Sequence, residues 1–162
     1  MHTPRRLAGK IRGLAELRQD VGREKAAGRK VVFTNGCFDI LHSGHVKLLE
    51  QCRLEGDVLV VGMNSDSSVR TLKGPDRPIV PQDQRAQVLA ALESVDYVVV
   101  FDELDPLRVI ESIVPDVLIK GGDWPPDTII GRDVVESAGG RVFAIPLMDG
   151  VSTTALWNRM RQ

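Results

Sequence analysis

Gly36-Cys37-Phe38-Asp39-Ile40-Leu41-His42-Ser43-Gly44-His45 is the stretch that decides how this chain is read. It follows Val31-Val32-Phe33, an apolar run with the character of a buried strand. It precedes Val46-Lys47-Leu48-Leu49-Glu50-Gln51-Cys52, which has helical periodicity. Strand, glycine turn and helix start in succession open an α/β sheet whose ligands gather at the carboxyl ends of the strands. His42 and His45, three apart at the helix start, project from one face. The free N–H groups and dipole of a helix N-terminus attract phosphate. The segment therefore has the parts needed to handle a nucleotide's phosphates. A metal site is the competing reading of a histidine pair, but no Cys/His cluster completes a ligand set.

Outward from this turn, strands and helices alternate. Leu7, Ile11, Leu14, Leu17 and Val21 recur at helical spacing, which predicts one amphipathic helix over about 7–27, ended by Ala27-Gly28-Arg29. Residues 1–29 are thus expected to form an N-terminal helical extension ahead of one domain, 30–162. Strands are expected at 30–35, 57–63, 97–101, 117–120 and 141–145, and helices at 43–55, 82–92, 106–113, 133–138 and 152–160. Near-continuous apolar strands separated by helices give an α/β fold. The expectation is a single Rossmann-like, doubly wound domain with a five-stranded parallel sheet covered on both faces. Neither a G-x-G-x-x-G fingerprint nor a G-x-x-x-x-G-K-[ST] loop occurs, which removes the usual dehydrogenase and P-loop mechanisms.

Composition narrows the partners. A length of 162 residues fits one domain, and a formal net charge of -1 argues against a nucleic-acid-binding surface. No run approaches the ~20 apolar residues that span a membrane. The basic start (Arg5, Arg6, Lys10, Arg12) has no apolar segment for a secretory signal, and Glu16, Asp20 and Glu24 do not suit a transit peptide. Two cysteines, Cys37 and Cys52, suit a reducing compartment. A cytoplasmic location is the expectation.

Four strand-end segments carry polar or glycine-rich sequence: 34–45, 64–77, 120–124 and 150–154. In a doubly wound sheet these ends converge on one crevice. Lys73 and Arg77 bracket a Gly-Pro turn, where cations on a mobile loop can close over a polyphosphate or simply face water. Arg85, on the following helix, has the same two readings. Gly121-Gly122 lets a backbone approach a ligand closely, or makes a plain tight turn. Trp124 either flanks a base or packs. After the turn Asp149-Gly150, Ser152-Thr153-Thr154 opens a helix, and its hydroxyls suit both capping and phosphate binding.

Asn35 through His45 resembles the G-x-F-D-x-x-H-x-G-H signature of the nucleotidyltransferase superfamily, which includes cytidylyltransferases of phospho-alcohols and several adenylyltransferases. Val151-Ser152-Thr153-Thr154 is similar to its second signature, I-S-T-T, with Val for Ile. Within the superfamily, six segments most resemble the adenylyltransferase part of the bacterial enzymes that make ADP-activated D-glycero-β-D-manno-heptose. They are Val32–Asp39, Asn64–Asp66, Leu72–Pro78, Gln84-Arg85, Ile119–Asp123 and Asp149–Thr154. The likeness spans about residues 30–160.

The resemblance implies attack of a sugar 1-phosphate on the α-phosphate of ATP, with Mg²⁺ accompanying the ATP, although the sequence shows no dedicated carboxylate cage. His42, His45 and Lys73 would be the catalytic groups. Thr34, Asn35, Gly36, Phe38, Gly44, Arg77, Arg85, Gly121, Gly122, Asp123, Trp124, Ser152, Thr153 and Thr154 would hold the nucleotide, and Asp39, Asn64 and Asp66 the acceptor. A homodimer and a separate sugar kinase are implied as partners. Cytidylyl transfer to glycerol 3-phosphate is the near alternative. A non-catalytic nucleotide-binding module is the alternative of another class, and the intact histidine pair and Lys73 speak against it. A tRNA synthetase core shares the H-x-G-H turn, but no K-M-S-K-S loop is present.

Overall fold

The structure, a computed structural model, describes residues 7–162. Its centre is a sheet of β1 (Val31–Gly36), β2 (Val58–Asn64), β3 (Tyr97–Phe101), β4 (Val117–Gly121) and β5 (Arg141–Ile145). All neighbours are parallel, in the order β3-β2-β1-β4-β5. The chain builds outward from β1 through β2 to β3, then returns to the other side of β1 for β4 and β5. That reversal opens a crevice at the carboxyl ends of β1 and β4.

Side-chain alternation divides the core. Val31, Phe33, Val60, Val99 and Leu118 point to one face, where they meet α1 (Leu14–Ala26), α5 (Leu107–Ile113) and α6 (Arg132–Ser137). Val32, Val61, Met63, Val98 and Ile119 point to the other, against α2 (Ser43–Leu54) and α4 (Gln82–Ala91). Burial on both faces is why these strands read as unbroken apolar runs. The expected doubly wound, five-stranded parallel sheet is what the chain forms.

Two local expectations are corrected. The helix expected over 7–27 is shorter. Leu7–Gly9 is a single 3₁₀ turn, and α1 starts only at Leu14, with the Gly13 N–H donating to Glu16 Oε2 at 3.4 Å. Between them the chain is extended: Arg12 N–H donates to Val98 O and Val98 N–H to Lys10 O. This segment covers the open edge of β3, a demand of the sheet that outweighs helical spacing. Leu17 and Val21 are buried in the main core, so α1 packs as part of the sheet's cover. Of the 1–29 segment, residues 1–6 lie outside the described residues. The second correction is α3 (Asp66–Lys73), where the sequence reads only a strand end followed by loop. Ser65 caps it, its Oγ accepting from Ser68 N–H at 3.3 Å. Val69 is its one buried apolar residue, too little to register as a periodic stripe.

Candidate active site

The turn after β1 folds on itself through its own histidines. His42 is the N-cap of α2: its Nδ1 accepts from the Gly44 N–H at 3.1 Å, and His45 Nδ1 accepts from the His42 N–H at 3.4 Å. Two donors of the helix start are thereby satisfied reciprocally, as in a capping box, with imidazoles in place of the usual hydroxyl and carboxylate. The rings stack, centroids 3.8 Å apart and planes at 25°. A Cβ at Gly44 would stand 3.0 Å from His42 Nδ1 and Cε1, so any larger residue would press on the capping ring.

An imidazole nitrogen that accepts carries no proton, so both rings are neutral Nε2–H tautomers. Burial pushes both pKa values down. For His45 it combines with the charge His42 would carry to bring the value to about 4. The site thus presents two neutral N–H donors at a helix N-terminus. A pH dependence follows. The unfolded imidazole takes up a proton near pH 6.5 and the folded one only near 4, so between them the unfolded chain binds more protons. Stability is full above pH 6.5 and declines as pH falls through that window. Thermal unfolding from pH 7 to 4.5 should show a steeper loss for the wild type than for His45→Gln. Parallel curves would contradict the neutral assignment.

The histidines open onto a cavity of about 720 Å³ at the carboxyl edge of the sheet. Asn35, Gly36, Phe38, Gly44, Asn64, Lys73 and Arg77 share its wall with them, as do Gly121, Gly122, Trp124, Ser152, Thr153 and Thr154. Phe38 reaches its place with φ 48° and packs its ring 5.4 Å from that of His45. Gly122 has φ 116° and donates to Ile145 O at 2.8 Å. This brings Trp124 back to the opening, half exposed. Ser152 caps α7 (Thr153–Met160), accepting from Ala155 N–H at 3.0 Å. Thr153 Oγ1 donates to Ile40 O at 3.4 Å, tying the start of α7 to the histidine turn. Two helix N-termini therefore border one cavity.

Five expected site residues are placed differently from the sequence reading. Thr34 is fully buried in the interior, and its side chain forms no part of the wall. Asp123 is exposed and also outside it. Arg85 is sealed in: its guanidinium donates to Val80 O, Cys37 O, Asn64 O and Asp66 Oδ1 at 2.6–2.9 Å, with no exposed side-chain surface. It joins the ends of β1 and β2 to the start of α3 and cannot also reach a phosphate. Asp66 is occupied as its partner and does not line the cavity. Asp39 does border the cavity, but its carboxylate is filled by Arg77 Nε at 2.7 Å and by the Ile79 and Val80 N–H groups. Burial raises its pKa, and the two backbone donors with Arg77 outweigh that and hold it low. Asp39 anchors the 77–80 loop and has no lone pair directed at sugar hydroxyls.

Lys120 and Cys37 line the cavity and are not among the expected site residues. A lysine ending an otherwise apolar strand, just before Gly121-Gly122, was the available signal for the first. Among the described residues, no group of three or more His, Cys, Asp or Glu is placed to hold a metal ion. Among the described residues, no helix is long and apolar enough to cross a membrane.

Comparison with known proteins agrees with this geometry. The cytidylyltransferase-like family matches residues 33–157. "Bifunctional protein HldE" of Syntrophotalea carbinolica is 55% identical over 93% of this chain, and that of Geotalea uraniireducens 54% over 94%. The chain spans about 31% of the length of either. A lipopolysaccharide core biosynthesis protein from Thermoplasma volcanium superposes with a TM-score of 0.60 at 27% identity, covering 75% of this chain and 98% of that one. Pantoate-beta-alanine ligase from Francisella tularensis, at 15% identity and TM-score 0.58, covers 94% of this chain and 79% of its own and shares the fold. With the signature turn, the doubly wound sheet and the family match in agreement, this chain belongs to the cytidylyltransferase-like family and is a nucleotidyltransferase.

Proposed function

We propose that this enzyme transfers the adenylyl group of ATP to a sugar 1-phosphate, D-glycero-β-D-manno-heptose 1-phosphate, giving an ADP-sugar and pyrophosphate. The observation that carries the reading is the stacked, neutral histidine pair at the start of α2, with its Nε2–H groups available to the cavity. A sugar-phosphate oxygen forms a bond to the α-phosphorus while the bond to the α–β bridging oxygen breaks. Such a transfer needs positioning and charge stabilisation more than covalent chemistry. His42 and His45 donate to the α-phosphate and the bridging oxygen, at the positive end of α2. Lys73 neutralises charge building on the leaving pyrophosphate. The N–H groups at the start of α7, with Thr154, hold the remaining phosphates, and the Gly121–Trp124 turn borders the base. Mg²⁺ enters on the phosphates of ATP, as part of the substrate.

The choice of ATP and heptose rests on the likeness of Leu72–Pro78 and Ile119–Asp123 to the heptose adenylyltransferases, and the similarity to HldE supports it. Pyrophosphate release across ATP, CTP, GTP and UTP, each with a panel of sugar and polyol phosphates, tests it. ATP with heptose 1-phosphate should be turned over and CTP should give little product. A site shaped to one base's edge leaves buried partners unpaired with another, at a cost of up to ~10⁴–10⁵ in rate. Efficient CDP-glycerol formation from CTP and glycerol 3-phosphate, with ATP inert, would overturn the substrate assignment.

A further inference from the structure

The strand ends divide the cavity in two. On β4, Val117 and Ile119 belong to the core beneath α2 and α4, and Leu118 to the opposite one, so alternation turns Lys120 to the α5/α6 side. Gly121 agrees: a Cβ there would collide with Leu48 of α2, on the other face. The same alternation turns Asn35, two beyond Phe33, and Asn64, two beyond Gly62, to the side of Lys120. The histidines and the start of α7 lie on the α2 side. One half of the cavity thus holds the neutral donors, and the other holds Asn35, Lys120 and Asn64, whose amide donates to Ser68 Oγ, between walls from Leu104, Asp105, Pro106 and Ile130.

Lys120 has no carboxylate partner among the described residues, whereas Arg77 and Arg85 are both paired. Its Nζ stands 5.6 Å from the centroid of the Trp124 ring. Burial lowers its pKa and the Lys73 charge lowers it further; a Cys37 thiolate would act in the opposite sense, but burial holds that thiol protonated. Lys73 and Lys120 repel across one cavity, and the carboxylates in its wall are engaged elsewhere, Asp39 by Arg77 and Asp105 by the Leu107 N–H, which leaves a site completed by an anion. ATP brings its phosphates to the histidine side. A phosphorylated acceptor must bring a second dianion in line with the leaving pyrophosphate, from the other side of the α-phosphorus, and that approach is repelled unless a cation receives it.

We propose that Lys120, with Asn35 beside it, holds the phosphate of the acceptor on the sheet face opposite the histidine pair and so fixes the attacking oxygen. This rests on the reading of the reaction as transfer to a phosphorylated acceptor. The probe is Trp124, which becomes the one indole once Trp157, outside the cavity wall, is changed to Phe. Inorganic phosphate titrated into this protein, with a non-hydrolysable ATP analogue already bound, should give a saturable change in Trp124 emission. The change should vanish in Lys120→Met and persist in Lys120→Arg. In turnover, Lys120→Met should raise KM for the acceptor about 10- to 100-fold, the scale of one lost charge-assisted hydrogen bond, with KM for ATP within about twofold. A signal abolished by the ATP analogue would assign Lys120 to the nucleotide. No saturable signal, or one unchanged in Lys120→Met, would remove the subsite. Each of these results overturns the proposal. Wild-type silence on every acceptor beside a normal phosphate titration would instead count against the reaction assigned above.

Discussion

His45→Ala lowers kcat by about 10²–10³, the loss expected when one donor to developing phosphate charge is removed, and His42→Ala falls in the same range. Both rings present Nε2–H, because each Nδ1 is engaged in the capping of α2. The contact strengthens only as charge gathers on the bridging oxygen, so kcat and kcat/KM should fall together and KM for ATP should move little. The fold should survive. The stacked pair contributes a helix cap worth about 0.5–2 kcal/mol and touches the core only at its rim, through Phe38. Steady-state kinetics beside thermal unfolding separate the two effects. Near wild-type turnover in both variants would remove the histidines from the chemistry.

Arg85→Met loses stability by about 3–5 kcal/mol, the scale for breaking a buried charged network by removing one partner. Its guanidinium satisfies three carbonyls and the Asp66 carboxylate, and the variant leaves all four without it. For a domain of this size that is a fall in Tm of roughly 10 °C. Arg85→Lys should recover only part, since one ammonium cannot span acceptors on four segments. Thermal unfolding with ATP KM measured on the folded fraction decides between anchor and ligand. An unchanged Tm with a raised KM for ATP would return Arg85 to the phosphates.

The contrast between these two sites shows what the sequence could disclose. The histidine turn was legible because its chemistry is local: strand, glycine, cap and helix lie within residues 31–52. The sheet was legible because burial on both faces writes continuous apolar runs such as Val58–Met63. Arg85, Asp39 and Asp66 were misplaced because their partners are distant in sequence. Whether a strand-end Asp faces solvent, a sugar or Arg77 depends on the 74–81 loop folding back over β1. Ile11 was lost to a helix for the same reason, since the edge of β3 that it covers lies 87 residues further on, at Val98. Lys120 went unread because only the parity of β4, fixed by both cores together, shows which half of the cavity it serves.

The most direct test follows the phosphorus of ATP. The enzyme is incubated with heptose 1-phosphate and ATP labelled at either the α- or the γ-phosphate, and the products are separated. Label from the α-position should appear in a sugar nucleotide, and label from the γ-position wholly in pyrophosphate. Label from the γ-position in the sugar product, or α-label released as AMP with no sugar nucleotide formed, would contradict adenylyl transfer in this cavity.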